Sequence, residues 1–110
     1  MDFVEYQTRT ADTAIYPGQG DIMGLLYIGL GLGEAGEVQG KIKKILRDDG
    51  GVLTPEKRSV IKNELSDLLW YISQAATELG VSLEQMAIDN IAKLADRQKR
   101  GTLQGSGDDR

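Results

Sequence analysis

The sequence contains no cysteine and no histidine. Without them there is no disulfide, no zinc site of the thiolate–imidazole kind, no haem held by imidazole and no nucleophile activated by a histidine base. A di-iron bundle is excluded as well, because its Glu-x-x-His pairs cannot be built. Any metal must be a hard cation held by oxygen ligands, with Mg²⁺ first and Mn²⁺ as its substitute. Long apolar runs are also missing. The richest stretch, Ile22 to Leu32, is too short for a bilayer and is interrupted by Gly24, Gly29 and Gly31. No basic region followed by an apolar one opens the chain, so no signal peptide is expected and the cytoplasm is the expected location. Excess positive charge is lacking too: the formal net charge of −4 disfavours a general nucleic-acid-binding role.

What is present is helical punctuation. Asp2 and Glu5 form a capping pair for a first helix from about Asp2 to Ile15, which Tyr16-Pro17-Gly18 ends. A second helix is expected from Ile22 to Arg47, stopping at Asp48-Asp49-Gly50-Gly51. Thr54 caps a third, with Pro55 at its first position and Gly80 just beyond its end at Leu79. Ser82 and Gln85 cap a fourth that runs to about Arg100. Strand-period alternation and internal repeats are absent. The expected fold is all-α, a four-helix bundle-like protomer. One domain spans 1–101, and the polar, glycine-rich residues 102–110 form a flexible tail. A chain of 110 residues has a thin stability margin and little material for a deep pocket, so oligomerisation is expected to complete both.

The polar residues fall in unusual places. On the second helix Leu26, Leu30, Glu34, Glu37 and Lys41 share a stripe, beside a wholly apolar one from Ile28 through Leu32, Ala35, Val38 and Ile42 to Leu46. On the third, Ile61, Leu65, Leu68, Ile72, Ala75 and Leu79 form a core face. Val60, Glu64, Asp67, Tyr71 and Gln74 run beside it, with Trp70 on the edge. The fourth places Asn90, Lys93, Arg97 and Arg100 next to Leu83, Ala87, Ile91 and Leu94.

Two helices thus each offer a pair of acids one turn apart at the margin of an apolar face. Four carboxylates gathered without a metal would repel one another, and a divalent cation removes that repulsion while leaving positions for water and phosphate oxygens. Lys93, Arg97 and Arg100 then suit the remaining phosphate oxygens, and Trp70 and Tyr71 offer faces for a base. Taken singly, each feature has an ordinary explanation. A lone Glu-x-x-Glu is a solvated pair, cations late in a helix complement its dipole, and aromatic residues fill cores. The glycines at 29, 31, 33 and 36 make no phosphate loop, since no strand precedes them; close helix packing is their expected role.

Together these residues resemble a known family. The run Leu30-Gly31-Leu32-Gly33-Glu34-Ala35-Gly36-Glu37-Val38, followed by Lys41-Ile42-Lys43-Lys44, looks like the MazG-type nucleotide pyrophosphohydrolases of the all-α NTP pyrophosphatase superfamily. So does Asn63-Glu64-Leu65-Ser66-Asp67-Leu68-Leu69-Trp70-Tyr71. The run Asn90-Ile91-Ala92-Lys93-Leu94-Ala95-Asp96-Arg97 resembles the family's Asn-x-x-Lys-Leu-x-x-Arg segment, and Glu5-Tyr6-Gln7 and Thr13-Ala14 fit as well. The resemblance implies cleavage of nucleoside triphosphates between the α- and β-phosphates. It implies Mg²⁺ on Glu34, Glu37, Glu64 and Asp67, and nucleotide contacts from Asn90, Lys93 and Arg97 and also from Lys41 and Lys44. It further implies a homodimer or a tetramer made of dimers. Relatives specialised for dUTP, dCTP or phosphoribosyl-ATP are the alternatives within the class. A non-catalytic helical dimerisation module and a Mg²⁺-stabilised structural bundle are the alternatives outside it.

Overall fold

The computed structural model describes residues 1–110. Every regular element is helical: α1 (Phe3–Thr10), α2 (Ile22–Gly31), α3 (Ala35–Asp48), α4 (Pro55–Glu78) and α5 (Leu83–Lys99), with 3₁₀ turns at Ala11–Thr13 and Leu32–Glu34. The expected caps form. The Glu5 N–H donates to Asp2 Oδ1 (2.8 Å), Lys57 N–H to Thr54 Oγ1 (3.2 Å) and Gln85 N–H to Ser82 Oγ (3.2 Å). Gly80, at φ +70°, ends α4 in a conformation that only glycine adopts without strain.

Two boundaries differ from expectation. The first helix stops at Thr10 and tightens into 3₁₀ geometry instead of running to Ile15. The second is not one rod: a 3₁₀ turn at Leu32–Glu34 separates α2 from α3, although Gly31, Glu34 and Ala35 all keep right-handed helical angles. A glycine-rich stretch has little intrinsic helical stiffness. A Cβ at Gly31 would collide with the Tyr71 ring of α4, so the crossing is close exactly where the helix tightens. Close packing is therefore the role of Gly31 and also of Gly24, whose Cβ would meet the Gly18 carbonyl and the Glu78 carboxylate. Gly29, Gly33 and Gly36 face open space.

The longest helix, α4, is the hub: α1, α2 and α3 all pack on it, whereas α5 touches it lightly and leans on α1. Gln7 ties these parts together, donating to Val81 O (2.9 Å) and Thr77 Oγ1 (3.2 Å) while accepting from Leu83 N–H (2.8 Å). The interior is sparse. Only five hydrophobic residues are buried: Tyr16, Ile28, Ile45, Ala76 and Leu83. Faces expected to form a core lie open, including Leu30 (83% exposed), Leu46 (70%) and Ile91 (67%). The radius of gyration is 17.0 Å, against about 13 Å for a compact chain of this length. No helix is long and apolar enough to cross a membrane.

Candidate active site

Helix α4 and the tightened turn meet at the acids. Glu34 closes the 3₁₀ turn and Asp67 lies mid-way along α4, and the two line one cavity of about 220 Å³ with Trp70 and Tyr71. The close approach of Tyr71 to Gly31 brings the turn and α4 into register here. Glu37 sits in the first turn of α3 and Glu64 one turn before Asp67 on α4. Burial divides each pair: Glu34 and Glu64 are half-buried, while Glu37 and Asp67 are exposed, so only one member of each is recessed. The chain's ion pairs, Arg9–Glu5, Arg47–Asp48, Lys57–Asp49 and Arg100–Asp96, use none of the four acids. No three acidic side chains converge closely enough to hold a metal ion by themselves.

The cavity's aromatic wall is ordered by a polar cluster from the N-terminal segment. The rings of Trp70 and Tyr71 pack edge to face, centroids 5.1 Å apart at 87°. Trp70 donates its indole N–H to Thr13 Oγ1 (2.8 Å) and meets the Tyr16 ring at 6.4 Å and 88°. Tyr16 stacks on Tyr27 at 5.7 Å. Its phenol accepts from Gln74 Nε2 (3.1 Å) and donates to Glu78, whose other oxygen accepts the Gly20 N–H (3.0 Å). Burial pushes the Tyr16 hydroxyl above its ordinary pKa of 10.0, and the Glu78 carboxylate adds to the shift. Thr13 and Tyr16 were not among the expected site residues. Their partners on α4, Trp70, Gln74 and Glu78, lie more than fifty positions away, and no local pattern signals such contacts.

The expected cationic residues lie elsewhere in the chain. Asn90 and Lys93 line a separate cavity of about 690 Å³ with Phe3, Ile72, Leu83 and Met86. Arg97 is buried, and its guanidinium donates to Asp108 O (2.9 Å), because residues after Gly101 turn back along the end of α5. Arg100 likewise donates to Arg110 O (2.8 Å). Lys41 is half-buried and Lys44 exposed, both on α3. The chain therefore joins two of the acids to the aromatic pair but does not bring the α5 residues into the same cavity.

The chain is 51% identical over 109 residues to the "Gene 37 protein" of Mycobacterium phage L5, covering 96% of each chain. No solved structure matches it. The profile of the MazG nucleotide pyrophosphohydrolase domain matches residues 26–102, which contain all four acids, the aromatic pair and the α5 stripe. With most of its length inside that match, the chain belongs to the MazG nucleotide pyrophosphohydrolase family.

Proposed function

We propose that the chain is a Mg²⁺-dependent nucleoside triphosphate pyrophosphohydrolase, converting an NTP or dNTP and water to the monophosphate and pyrophosphate. The observation that carries this reading is the meeting of Glu34 and Asp67, from motifs far apart in sequence, in one aromatic-walled cavity. Proteins of this family generally depend on a divalent metal. The donor set here fits a hard cation: two carboxylates share a cavity, and Mg²⁺ ordinarily takes one or two carboxylates and completes its shell with water and phosphate oxygens. Glu34 and Asp67 would hold it, with Glu37 and Glu64 one helical turn away on either side. When bound, it supplies neutralisation of phosphate charge and a more acidic water.

The chain's own groups do the rest. A carboxylate of the cluster not engaged as a ligand takes the proton of the water that adds to the α-phosphorus. The bond to the bridging oxygen breaks, and that oxygen leaves with pyrophosphate. Trp70 and Tyr71 hold the base, their edge-to-face corner offering one ring face and one ring edge. Lys93 and Asn90 take the phosphates from a second copy of the chain, and Arg97 joins them only where the Asp108 carbonyl releases its guanidinium. Two observations support that assembly: the large open apolar faces on α2, α3 and α5, and a radius of gyration well above that of a compact monomer.

The test is product analysis. Purified protein is incubated with Mg²⁺ and each NTP and dNTP, and the products are separated by ion exchange. Monophosphate plus pyrophosphate, abolished by EDTA, is the expected result. Diphosphate plus phosphate would overturn the cleavage site. No product from any nucleotide, dUTP and dCTP included, would sink the hydrolase reading for common nucleotides. Light scattering after size exclusion should give twice or four times the chain mass of 12.0 kDa.

A further inference from the structure

Trp70 stands between two cavities. One is the carboxylate cavity it shares with Glu34, Asp67 and Tyr71. The other, of about 280 Å³, is lined by Met1, Tyr6, Arg9, Thr10 and Thr13 as well as by Trp70. An indole with open space on its far side is not held in place by packing alone. What fixes it is the hydrogen bond to Thr13 and the edge contacts with Tyr16 and Tyr71. Tyr16 is itself locked in a one-directional relay from Gln74 to Tyr16 to Glu78, with the Gly20 N–H closing the far end. Two of the residues that act on Trp70, Thr13 and Tyr16, precede the family match, which begins at Leu26.

From this geometry we infer that the segment Thr13–Gly20 is a built-in positioning device for nucleotide binding. Thr13 accepts the indole N–H and sets the plane of Trp70, so that the ring closes the base side of the carboxylate cavity instead of turning into the cavity behind it. Thr13 is a positioning residue: it acts through Trp70. The inference rests on the proposed nucleotide site but not on turnover. Because the indole N–H is already engaged, Trp70 reads a base by stacking and shape rather than by hydrogen-bond pattern, and every base loses affinity when Thr13 is replaced.

Trp70 is the chain's single tryptophan, so its fluorescence reports the site directly. Thr13→Val keeps the shape and removes the acceptor, and Thr13→Ser restores it. The probes are the α,β-methylene analogues of ATP, GTP, CTP and UTP with Mg²⁺, titrated against Trp70 emission. Acrylamide quenching of the free protein gives the ring's mobility, and KM and kcat with the natural triphosphates complete the set. Thr13→Val should raise acrylamide access and weaken analogue binding and KM about fivefold, the scale of one lost hydrogen bond. The kcat should stay within about twofold, the pattern of uniform binding, and Thr13→Ser should behave as the parent. Trp70→Phe, which has no N–H, should already show the raised KM, and Thr13→Val added to it should change KM no further.

Raised acrylamide access with unchanged binding would overturn the inference, leaving the bond a structural one. Unchanged access and unchanged binding would overturn it too, since the indole would then be held by something else. Turnover without any quenching of Trp70 by the analogues sinks the inference and spares the hydrolase reading. Quenching that Thr13→Val weakens, in a protein that releases no pyrophosphate, does the reverse. Neither quenching nor turnover removes both.

Discussion

Helix α4 carries carboxylates in two kinds of surroundings. At its C-terminal end Glu78 accepts the Tyr16 hydroxyl and the Gly20 N–H, beside a buried Thr10–Ser73 hydroxyl pair at 3.0 Å and a buried Gln74. Mid-way along the same helix Glu64 and Asp67 have no ion-pair partner, and Asp67 looks into an open cavity. The first arrangement engages both Glu78 oxygens and is costly to disturb, because removing the Tyr16 hydroxyl leaves a part-buried carboxylate oxygen and the buried Gln74 amide without a partner. The second leaves acceptor capacity unused, which suits a ligand and adds nothing to folding. One acid is engaged within the fold, and the other two have no ion-pair partner in the chain.

The sharpest way to break that contrast is to make the same chemical change in both places. Asp67→Asn should lower kcat/KM at least about a hundredfold, the scale of losing a charged group that acts in the transition state. Its Tm should hold or rise slightly. Glu78→Gln should do the reverse in proportion: it costs about 1–3 kcal/mol of stability and, by loosening Tyr16 against Trp70, lowers kcat/KM by about fivefold at most. Thermal melts and steady-state kinetics at one protein concentration decide between them, since any self-association would make Tm concentration-dependent. Equal losses of activity in both variants would mean that the two regions are not separate.

Glycines sharpen the comparison on the facing helix. At Gly31 an added Cβ runs into the Tyr71 ring, so Gly31→Ala should destabilise by about 2 kcal/mol through overpacking and should shift Tyr71 away from Glu34. At Gly29 nothing lies near, and Gly29→Ala should stabilise α2 by about 0.5–1 kcal/mol through the unfolded chain. Urea titrations would show the opposite signs; the same sign at both would refute the close crossing.

The helical class and the caps were readable because they rest on local rules: cap chemistry and periodicity. Asp2, Thr54, Ser82 and Gly80 act as expected. The break at Leu32–Glu34 was not readable, since it depends on a contact between Gly31 and a residue on another helix. Nor was the Thr13–Trp70–Tyr16 cluster, whose members pair across more than fifty positions. The core was misplaced for a related reason. Periodicity marks apolar faces such as Ile42–Leu46 and Ile91–Leu94, but it does not say whether their partner is in the same chain.

A smaller effect follows from the Tyr16 relay. Its hydroxyl titrates above 10.0 in the folded chain, so the unfolded chain ionises first as pH rises past that value. The stability this group contributes is therefore complete below pH 10.0 and is lost as pH climbs through the folded value. Tyr6, also raised by burial, adds to the same slope. Tyr16→Phe should flatten the alkaline limb of a Tm–pH curve without flattening it fully, because Tyr6 remains. An unchanged limb would mean that the relay is not closed in the folded protein.

The smallest expected effect lies where partnering is present but solvent is everywhere. Arg47 and Asp48 form two hydrogen bonds, at 2.7 and 2.9 Å, on the exposed end of α3. That contact holds the Asp48 carboxyl below its ordinary 3.8, with Lys57 and Lys44 adding attraction from further off. A depressed carboxylate contributes stability above its unfolded pKa and loses it as pH falls through the folded value. Here water and salt screen both partners, so the pair should leave Tm almost unmoved despite its short distances. Arg47→Gln should raise the Asp48 midpoint, followed by carboxyl NMR, only part of the way to 3.8, since the two lysines persist. Added salt should complete the rise. A large fall in Tm for Arg47→Gln would show that a surface pair can anchor this fold as firmly as the Tyr16–Glu78 contact, and the distinction between closed and open carboxylates would then fail at its cheapest test.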